Sequence, residues 1–213
     1  MMLALYGHKF SSYTWKGLIP LYAAGAEFEF RDVAPDHPDN GAFVAAVHPA
    51  GKFPVLVDGD AVVFEATSIV EHLALTYPGL IPADPAEAAV IRMLDRVFDN
   101  YVMHNMNRVV VAHIVGGGNP DPAEVEGGKE GLRRAYAWLE DWLAQNSLPP
   151  HVSLVTCAAA PSLFYADWVE RIPEGSRLAA LRAELLALPP VVRCVEDARP
   201  FRGYFPPGAP ARD

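Results

Sequence analysis

The chain has 213 residues, of which 51% are hydrophobic and 20% charged, so it is long enough to bury a core as one domain or as two small ones. Its 26 acidic and 17 basic residues give a formal net charge of −9 at pH 7. Because contacts with nucleic-acid phosphates need clustered Lys and Arg, this composition argues against a nucleic-acid partner.

The first 77 residues mix strand and helix patterns. They predict strands at 3–5 and 28–30, a hairpin at 55–64 that turns at Asp58-Gly59-Asp60, and helices at 15–22, 43–47 and 69–77. The expected order is βαβ, then α, then ββα. Pro20 lies inside the first helix, where its missing N–H and its ring cost about 3 kcal/mol, so we expect a kink or an early break there.

The remainder of the chain shows helical periods only. Helices are predicted around 90–101, 132–143, 153–171, 177–188 and 191–197, and GGGNPDP at 116–122 predicts a helix-ending turn. The segment YPGLIPADP at 77–85 is dense in proline and has no periodicity. We therefore expect an α/β domain at 1–77, a linker at 78–85 and an all-helical domain at 86–213.

Cysteine usage and hydropathy predict a cytoplasmic protein. Cys157 and Cys194 each lie in an apolar helical pattern, which predicts buried free thiols and a reducing compartment. The most apolar segment, 152–166, is shorter than the ~18 residues expected of a membrane span, so no membrane association is expected. The seven histidines lack ligand spacing, so no metal is expected either.

Two adjacent serines, Ser11 and Ser12, follow the first predicted strand and precede the first helix. In a βαβ unit this loop lies at the sheet edge where ligands bind, and the helix N-terminus favours anions. One interpretation is that Ser11 donates a hydrogen bond to an anionic ligand. The other is that one of the two serines only caps the helix, a role worth about 1 kcal/mol. The two serines alone leave both interpretations open.

A second motif is HPAGKFPVLVDGDAVVFEATSIVEHL at 48–73. Pro54 opens a strand there, and a cis bond before it would turn the backbone of Phe53 outward to pair with an extended, peptide-like ligand. Glu65 directly precedes a helix. It is either a first-turn residue favoured by the helix dipole or an acceptor for the ammonium group of a ligand.

Together these motifs resemble the cytosolic glutathione S-transferases over nearly the whole chain. SSYTWK is similar to the SSCxW signature of the zeta class, although Tyr13 replaces the cysteine, and YGH followed by a serine is similar to the phi and other bacterial serine-type classes. GKFPVLVDGD and FEATSIVEHL resemble the family's glutathione site. The resemblance implies a thioredoxin-like α/β N-terminal domain, an all-α C-terminal domain and a homodimer.

The resemblance also implies that glutathione is the cosubstrate and that Ser11 is the catalytic residue, its hydroxyl hydrogen-bonding the glutathione sulfur. A free thiol with a pKa of ~8.5 is mostly protonated at neutral pH, so a donor to the thiolate raises the reactive fraction. The implied glutathione contacts are Ser11, Ser12, Lys52, Phe53, Pro54, Glu65, Ala66 and Thr67. His37 is either a further contact for the glycyl end or a surface-loop residue.

Two departures from the family pattern carry expectations of their own. Ala66 replaces the usual serine, so Thr67 or backbone N–H groups at the helix start must bind the γ-glutamyl carboxylate. In the C-terminal half, VSLVTCAAAPSLFYADWV resembles the family's buried helix, but Thr156 replaces the aspartate of its N-capping box. We expect Ser153 still to cap this helix, without the reciprocal bond.

The resemblance implies a second-substrate pocket between the first loop and the long helix after the linker, with Tyr101, His104 and Arg108 contributing. The other interpretation of His104 is a packing role, which is the more frequent one for a lone histidine beside Met103 and Met106. The aromatic segment RPFRGYF at 199–205 either folds over this cleft or packs on the helical domain, and we expect packing.

The sequence therefore predicts a glutathione transferase of the detoxification type, which joins the glutathione thiolate to a small electrophile. One alternative is a glutathione-dependent cis-trans isomerase similar to maleylacetoacetate isomerase, as SSYTWK allows. The other is a non-catalytic binding or assembly module of the same fold, which would tolerate Ala66. Thiol redox catalysis is disfavoured because the first loop has serines and no cysteine.

Overall fold

The computed structural model of this chain describes residues 3–213. A four-stranded sheet in the order β2-β1-β3-β4 forms the first half, with strands β1 Leu3–Gly7, β2 Phe28–Asp32, β3 Val55–Asp58 and β4 Ala61–Phe64. β1 and β2 are parallel, whereas β3 pairs antiparallel with both β1 and β4. All four strands lie where the alternating apolar pattern predicts them.

Three helices complete this half: α1 Ser12–Ala23, α2 Pro38–Val47 and α3 Ala66–Leu73. The predicted order βαβ, α, ββα is confirmed. The early break expected at Pro20 is wrong, because α1 continues through it to Ala23. Pro20 lies so close to the C-terminus of α1 that the helix ends within a turn of it, and the Pro20 carbonyl still accepts the N–H of Ala24 at 3.0 Å.

The second half is all helical, so the expected fold class is confirmed. Its helices are α4 Pro85–Val97, α5 His104–Gly116, α6 Pro122–Leu143, α7 Leu154–Val169, α8 Arg177–Leu186 and α9 Pro189–Ala198. A π-helical segment, Phe98–Met103, joins α4 to α5 without interruption, and a 3-10 segment, Arg199–Tyr204, follows α9. None of the helices described within 3–213 has the length and apolarity to cross a membrane.

Helix α7 is the centre of the hydrophobic core and packs against the α/β half. Its residues from Leu154 to Trp168 are all buried. The Phe164 ring lies 4.9 Å from the Trp15 ring of α1, and the Tyr165 hydroxyl donates a 2.8 Å hydrogen bond to the Phe10 carbonyl. The loop that carries Ser11 is therefore held in place by the helical half.

The start of α7 differs from the expectation. Ser153 makes no side-chain cap bond, because its hydroxyl pairs with the Thr156 hydroxyl at 3.2 Å. The expectation that Ser153 caps this helix is wrong. The Leu154 N–H instead donates to the Leu80 carbonyl at 2.7 Å, so the segment between the two halves supplies an acceptor for this helix end.

Candidate functional site

A cleft of about 430 Å³ lies where the loop after β1, the start of α1, helix α5 and the C-terminal segment meet. Its lining combines two serine hydroxyls with a largely aromatic and aliphatic wall. The lining residues are His8, Phe10, Ser11, Ser12, Tyr13, Phe53, Met106, Asn107, Val110, Ile114, Tyr165, Tyr204, Phe205 and Pro206.

Ser11 is the N-cap of α1, and its Oγ accepts the Thr14 N–H at 3.3 Å. The structure therefore confirms that one of the two serines, Ser11, caps the helix. Capping uses only a lone pair of the oxygen, so the hydroxyl proton remains available as a donor toward the cleft. Ser12, the first residue of the helix, lines the same cleft. The geometry is thus compatible with both roles weighed for Ser11.

The Phe53–Pro54 peptide bond is cis, as the sequence motif suggested. Phe53 lines the cleft and precedes β3, whose first residue is Val55, so it lies outside the strand pairing of the sheet. Pro54 is buried behind it, and Lys52 is exposed beside it. The backbone of Phe53 therefore borders the cleft without a strand partner.

The start of α3 is a second candidate contact for an anion. Glu65 is its N-cap residue but makes no side-chain cap bond, and its carboxylate is 71% exposed. The N–H groups of the first three helical residues, 66–68, have no acceptor within the helix. Ala66 contributes no hydroxyl here, whereas Ser68, which we did not predict, is exposed on the first turn.

The Thr67 side chain does not face this helix start. Its hydroxyl accepts a hydrogen bond from the Lys16 ammonium group at 2.7 Å and donates to Asp95 at 3.0 Å. It is buried and fully engaged by these charged neighbours. Of the two groups expected to bind a γ-glutamyl carboxylate, the structure therefore leaves the backbone N–H groups and not the Thr67 hydroxyl.

The charged neighbours of Thr67 form a buried ionic cluster that the sequence did not predict. Lys16 lies 2.6 Å from carboxylate oxygens of both Asp95 and Asp99, and Arg96 contacts Asp95 from the outer side. Burial raises the pKa of Asp95, and the Lys16 ammonium group opposes that shift. The cluster connects α1 and α3 to α4 and the π-helical segment, behind the candidate site.

Tyr13 is a third hydroxyl in the cleft, two residues after Ser11. Burial and the Asp99 carboxylate raise its pKa to about 12, while a side-chain hydrogen bond with Asn107 partly offsets the rise. The phenol therefore stays protonated at neutral pH. Neither Tyr13 nor Asn107 was predicted as a site residue; Tyr13 was noted only as a replacement for cysteine.

The residues expected to form the second-substrate pocket line grooves other than this cleft. Tyr101 is 58% exposed in a separate groove against α6, and His104 and Arg108 line another groove between α5 and α6. Arg108 also pairs with Glu124 at 2.6 Å. The three residues lie on one face of the continuous helix formed by the π-helical segment and α5, whereas a different face of α5 lines the cleft.

The C-terminal segment contributes to the cleft as well as packing on the helical half. Phe205 is buried with its ring 5.1 Å from that of Trp168, as expected for packing. However, Tyr204 and Pro206 line the cleft, and the Phe201 ring lies 4.7 Å from His8. The C-terminal segment therefore both packs on the helical half and lines the cleft.

Comparisons with known proteins agree with this arrangement. Residues 5–80 match the family model "Glutathione S-transferase, N-terminal domain". Glutathione S-transferase 3 of Zea mays is 33% identical over 156 residues, which cover 68% of each chain. The chain belongs to the glutathione S-transferase family.

A second relative is FtsZ-localized protein A of Caulobacter vibrioides, 33% identical over 145 residues, which cover 60% of this chain. The match spans 62% of that protein, less than two thirds of its length. Among solved structures, glutathione transferase F7 from Populus trichocarpa superposes with a TM-score of 0.78. That comparison covers 92% of this chain and 99% of the other at 21% identity, and it supports the fold alone.

Proposed function

We propose that this protein is a glutathione transferase in which the Ser11 hydroxyl stabilises the glutathione thiolate. The observation that carries the proposal is the position of Ser11: it caps α1 through a lone pair, and its proton is left to donate into an apolar cleft. Hydrogen bonding to a thiolate, together with the positive end of α1, lowers a thiol pKa and raises the reactive fraction at neutral pH.

The remaining glutathione contacts follow from the same frame. The Phe53 backbone beside Pro54 pairs with the cysteinyl unit, and Lys52 lies near the glycyl carboxylate, with His37, exposed in the loop before α2, as a further contact for that end. Glu65 accepts the γ-glutamyl ammonium group. The γ-glutamyl carboxylate then rests on the N–H groups of 66–68 at the start of α3.

The test is glutathione binding by calorimetry at two pH values, on the wild type, Ser11→Ala and Ser11→Asp. Aspartate is an N-cap acceptor but has no proton to donate when ionised, so it separates capping from thiolate stabilisation. We expect the wild type to bind with proton release and both variants to lose that release. Proton release by Ser11→Asp equal to that of the wild type would falsify the role of Ser11.

The electrophile is proposed to be small, neutral and apolar. No Lys or Arg is among the lining residues of the cleft within 3–213, and His8 is its one basic side chain there. A dicarboxylate of the maleyl type would enter without a cation to pair with, which disfavours the isomerase alternative. The test is to measure turnover of neutral halides and of maleyl compounds with glutathione. Turnover of the maleyl compounds alone would favour the isomerase over the transferase.

The alternative of a binding or assembly module keeps one specific observation in its favour. The usual serine hydroxyl is absent at Ala66, and the Thr67 hydroxyl is engaged in the buried cluster, so glutathione loses a side-chain donor. One relative of this chain is named for localisation to FtsZ. Absence of binding at millimolar glutathione, in the calorimetry above, would favour this function over transferase activity.

We also propose a cytoplasmic homodimer, formed by the exposed apolar face of α4, the π-helical segment and α6. Met93, Tyr101 and Trp138 are exposed, and the last two line one groove of about 540 Å³. Tyr101→Glu should yield a monomer by light scattering. Val115→Glu, a matched change at an exposed residue of α5, should leave the dimer intact.

A further inference from the structure

His48 connects the segments that carry the proposed glutathione contacts. It is the C-cap residue of α2, where its N–H donates to the Val44 carbonyl at 2.9 Å, and its own carbonyl accepts the Gly51 N–H at 2.9 Å. Its ring lies 5.0 Å from that of Phe64, the last residue of β4. The side chain is 7% exposed, so packing on these neighbours fixes the orientation of the ring.

The two ring nitrogens of His48 have separate partners. Nδ1 accepts a hydrogen bond from the Ala50 N–H at 3.0 Å, which requires a free lone pair on that nitrogen. In the neutral imidazole the proton is therefore on Nε2. Nε2 is the nitrogen on the side of Glu65, with 3.6 Å between it and the carboxylate Oε1. The ring thus presents an N–H group to this carboxylate.

The Glu65 carboxylate depends on this N–H group because it has few other contacts. Glu65 makes no side-chain cap bond with α3, and its side chain is 71% exposed. Among the described residues, His48 is the only basic side chain within ion-pair distance of the carboxylate. The separation of 3.6 Å is longer than a hydrogen bond, and a small rotation of the exposed Glu65 side chain is enough to shorten it to about 2.9 Å. His48 therefore selects one position for an otherwise unrestrained carboxylate.

We propose that His48 is a positioning residue for the γ-glutamyl end of glutathione: its Nε2–H group holds the Glu65 carboxylate where that carboxylate receives the ammonium group of the ligand. The inference rests on the glutathione binding proposed above, in which Glu65 has that role. His48 acts through Glu65 and does not itself contact glutathione.

A neutral donor suits this task better than a cation. A lysine or arginine would pair with Glu65 and cancel its negative charge, whereas a neutral imidazole restrains the carboxylate and leaves its charge available to the ammonium group. The restraint also reduces the conformational entropy that the glutamate side chain loses when glutathione binds. The site should therefore discriminate in favour of ligands that carry the ammonium group.

The experiment measures the dissociation constants of glutathione and of glutaryl-cysteinylglycine by calorimetry on the wild type, His48→Asn and His48→Gln. The second ligand has a hydrogen in place of the ammonium group and keeps both carboxylates and the thiol. Asparagine keeps an acceptor for the Ala50 N–H but does not reach Glu65, whereas glutamine offers an amide N–H in the place of Nε2. Glu65→Gln and the double variant His48→Asn with Glu65→Gln complete a mutant cycle.

We expect the wild type to bind glutathione more tightly than the analogue. His48→Asn should weaken glutathione binding by about three- to tenfold and leave binding of the analogue unchanged. His48→Gln should keep the preference for glutathione, and His48→Asn should have no further effect when Glu65→Gln is already present. His72→Asn is the matched control, because His72 Nε2 lies 2.9 Å from Asp58 at the other end of α3, and it should change neither dissociation constant.

The other outcomes overturn the proposal in distinguishable ways. If His48→Asn changes neither affinity, weakens both ligands equally, or acts equally when Glu65→Gln is present, or if His48→Gln loses the preference as well, His48 has no positioning role and the transferase function stands. Equal binding of the two ligands by the wild type would remove the proposed role of Glu65, and that of His48 with it, without bearing on Ser11. If the wild type binds neither ligand, the proposed function fails and the role of His48 fails with it.

Discussion

The ammonium group of Lys16 lies 2.6 Å from a carboxylate oxygen of Asp95, and the two side chains are 1% and 0% exposed. This pair joins the first helix to the fourth across the interior of the protein. A buried charge that loses its partner has neither water nor an ion to stabilise it. The pair is therefore a sensitive point of the fold directly behind the candidate site.

Lys16→Met should destabilise the protein by about 3–5 kcal/mol, because it leaves the Asp95 and Asp99 carboxylates without their shared cation. The measurement is urea unfolding at neutral pH. Arg92→Met, which breaks the exposed Arg92–Glu71 pair at 2.8 Å, is the matched control and should cost less than about 1 kcal/mol. Similar losses of unfolding free energy for the two variants would show that the buried pair stabilises the protein no more than an exposed pair.

Glu65→Gly should stabilise the protein while weakening glutathione binding. Glu65 has φ +68°, a left-handed backbone conformation that side chains other than glycine adopt at a cost of about 1–3 kcal/mol. Glycine relieves that strain but removes the carboxylate proposed to hold the γ-glutamyl ammonium group. Unfolding and binding measured on the same variant check the two effects, and Glu65→Gln, which keeps the side-chain length, should lose affinity without gaining stability.

Glu140 should give the stability a pH dependence below neutrality. Its carboxylate accepts the backbone N–H groups of Arg177 and Leu178 at 3.1 and 3.0 Å, which holds its pKa below the ordinary value of 4.5. The stabilisation is present above that value and is lost as the pH falls through the lower, folded-state pKa. Glu140→Gln should therefore lower the melting temperature at pH 7 by a few degrees, and the difference from the wild type should vanish as the pH falls below the folded-state pKa of Glu140. Glu184→Gln, an exposed change on α8, should show no such difference.

The two cysteines should be unreactive in the folded protein. Cys157 and Cys194 are buried and free, and burial raises the pKa of both thiols. Because the thiolate is the reactive species, a thiol reagent should label neither residue in buffer and both in urea. Fast labelling of one thiol in the native protein would contradict the burial of the labelled cysteine, on α7 for Cys157 or on α9 for Cys194.

Local patterns were sufficient to predict the elements of the fold. Alternating residues such as Phe28 and Phe30 fall in strand β2, and the glycine-rich turn at 116–122 falls between α5 and α6. The order βαβ, α, ββα followed from the same patterns. These features depend on nearest neighbours along the chain, which a single sequence displays directly.

The buried cluster was not predictable in the same way. Lys16 and Asp95 are far apart in sequence, and a lysine in the first helix looks like a solvent-facing residue until its partners are known. The position of Tyr101, His104 and Arg108 outside the cleft has a different cause. The continuous helix made of α4, the π-helical segment and α5 has apolar residues on more than one face. The π-helical turn at Phe98–Met103 also changes which residues of α5 follow on the same face.

The hydrogen bond from Tyr165 to Phe10 and the Lys16 cluster both cross between residues 3–77 and 85–213. With Trp15 buried against Phe164, the first helix completes its packing only on the helical half. A thioredoxin-like fragment expressed alone would expose that helix face to water and aggregate. A full-length chain nicked by a protease between Leu80 and Pro85 should instead remain a non-covalent pair of fragments that co-elute and unfold together.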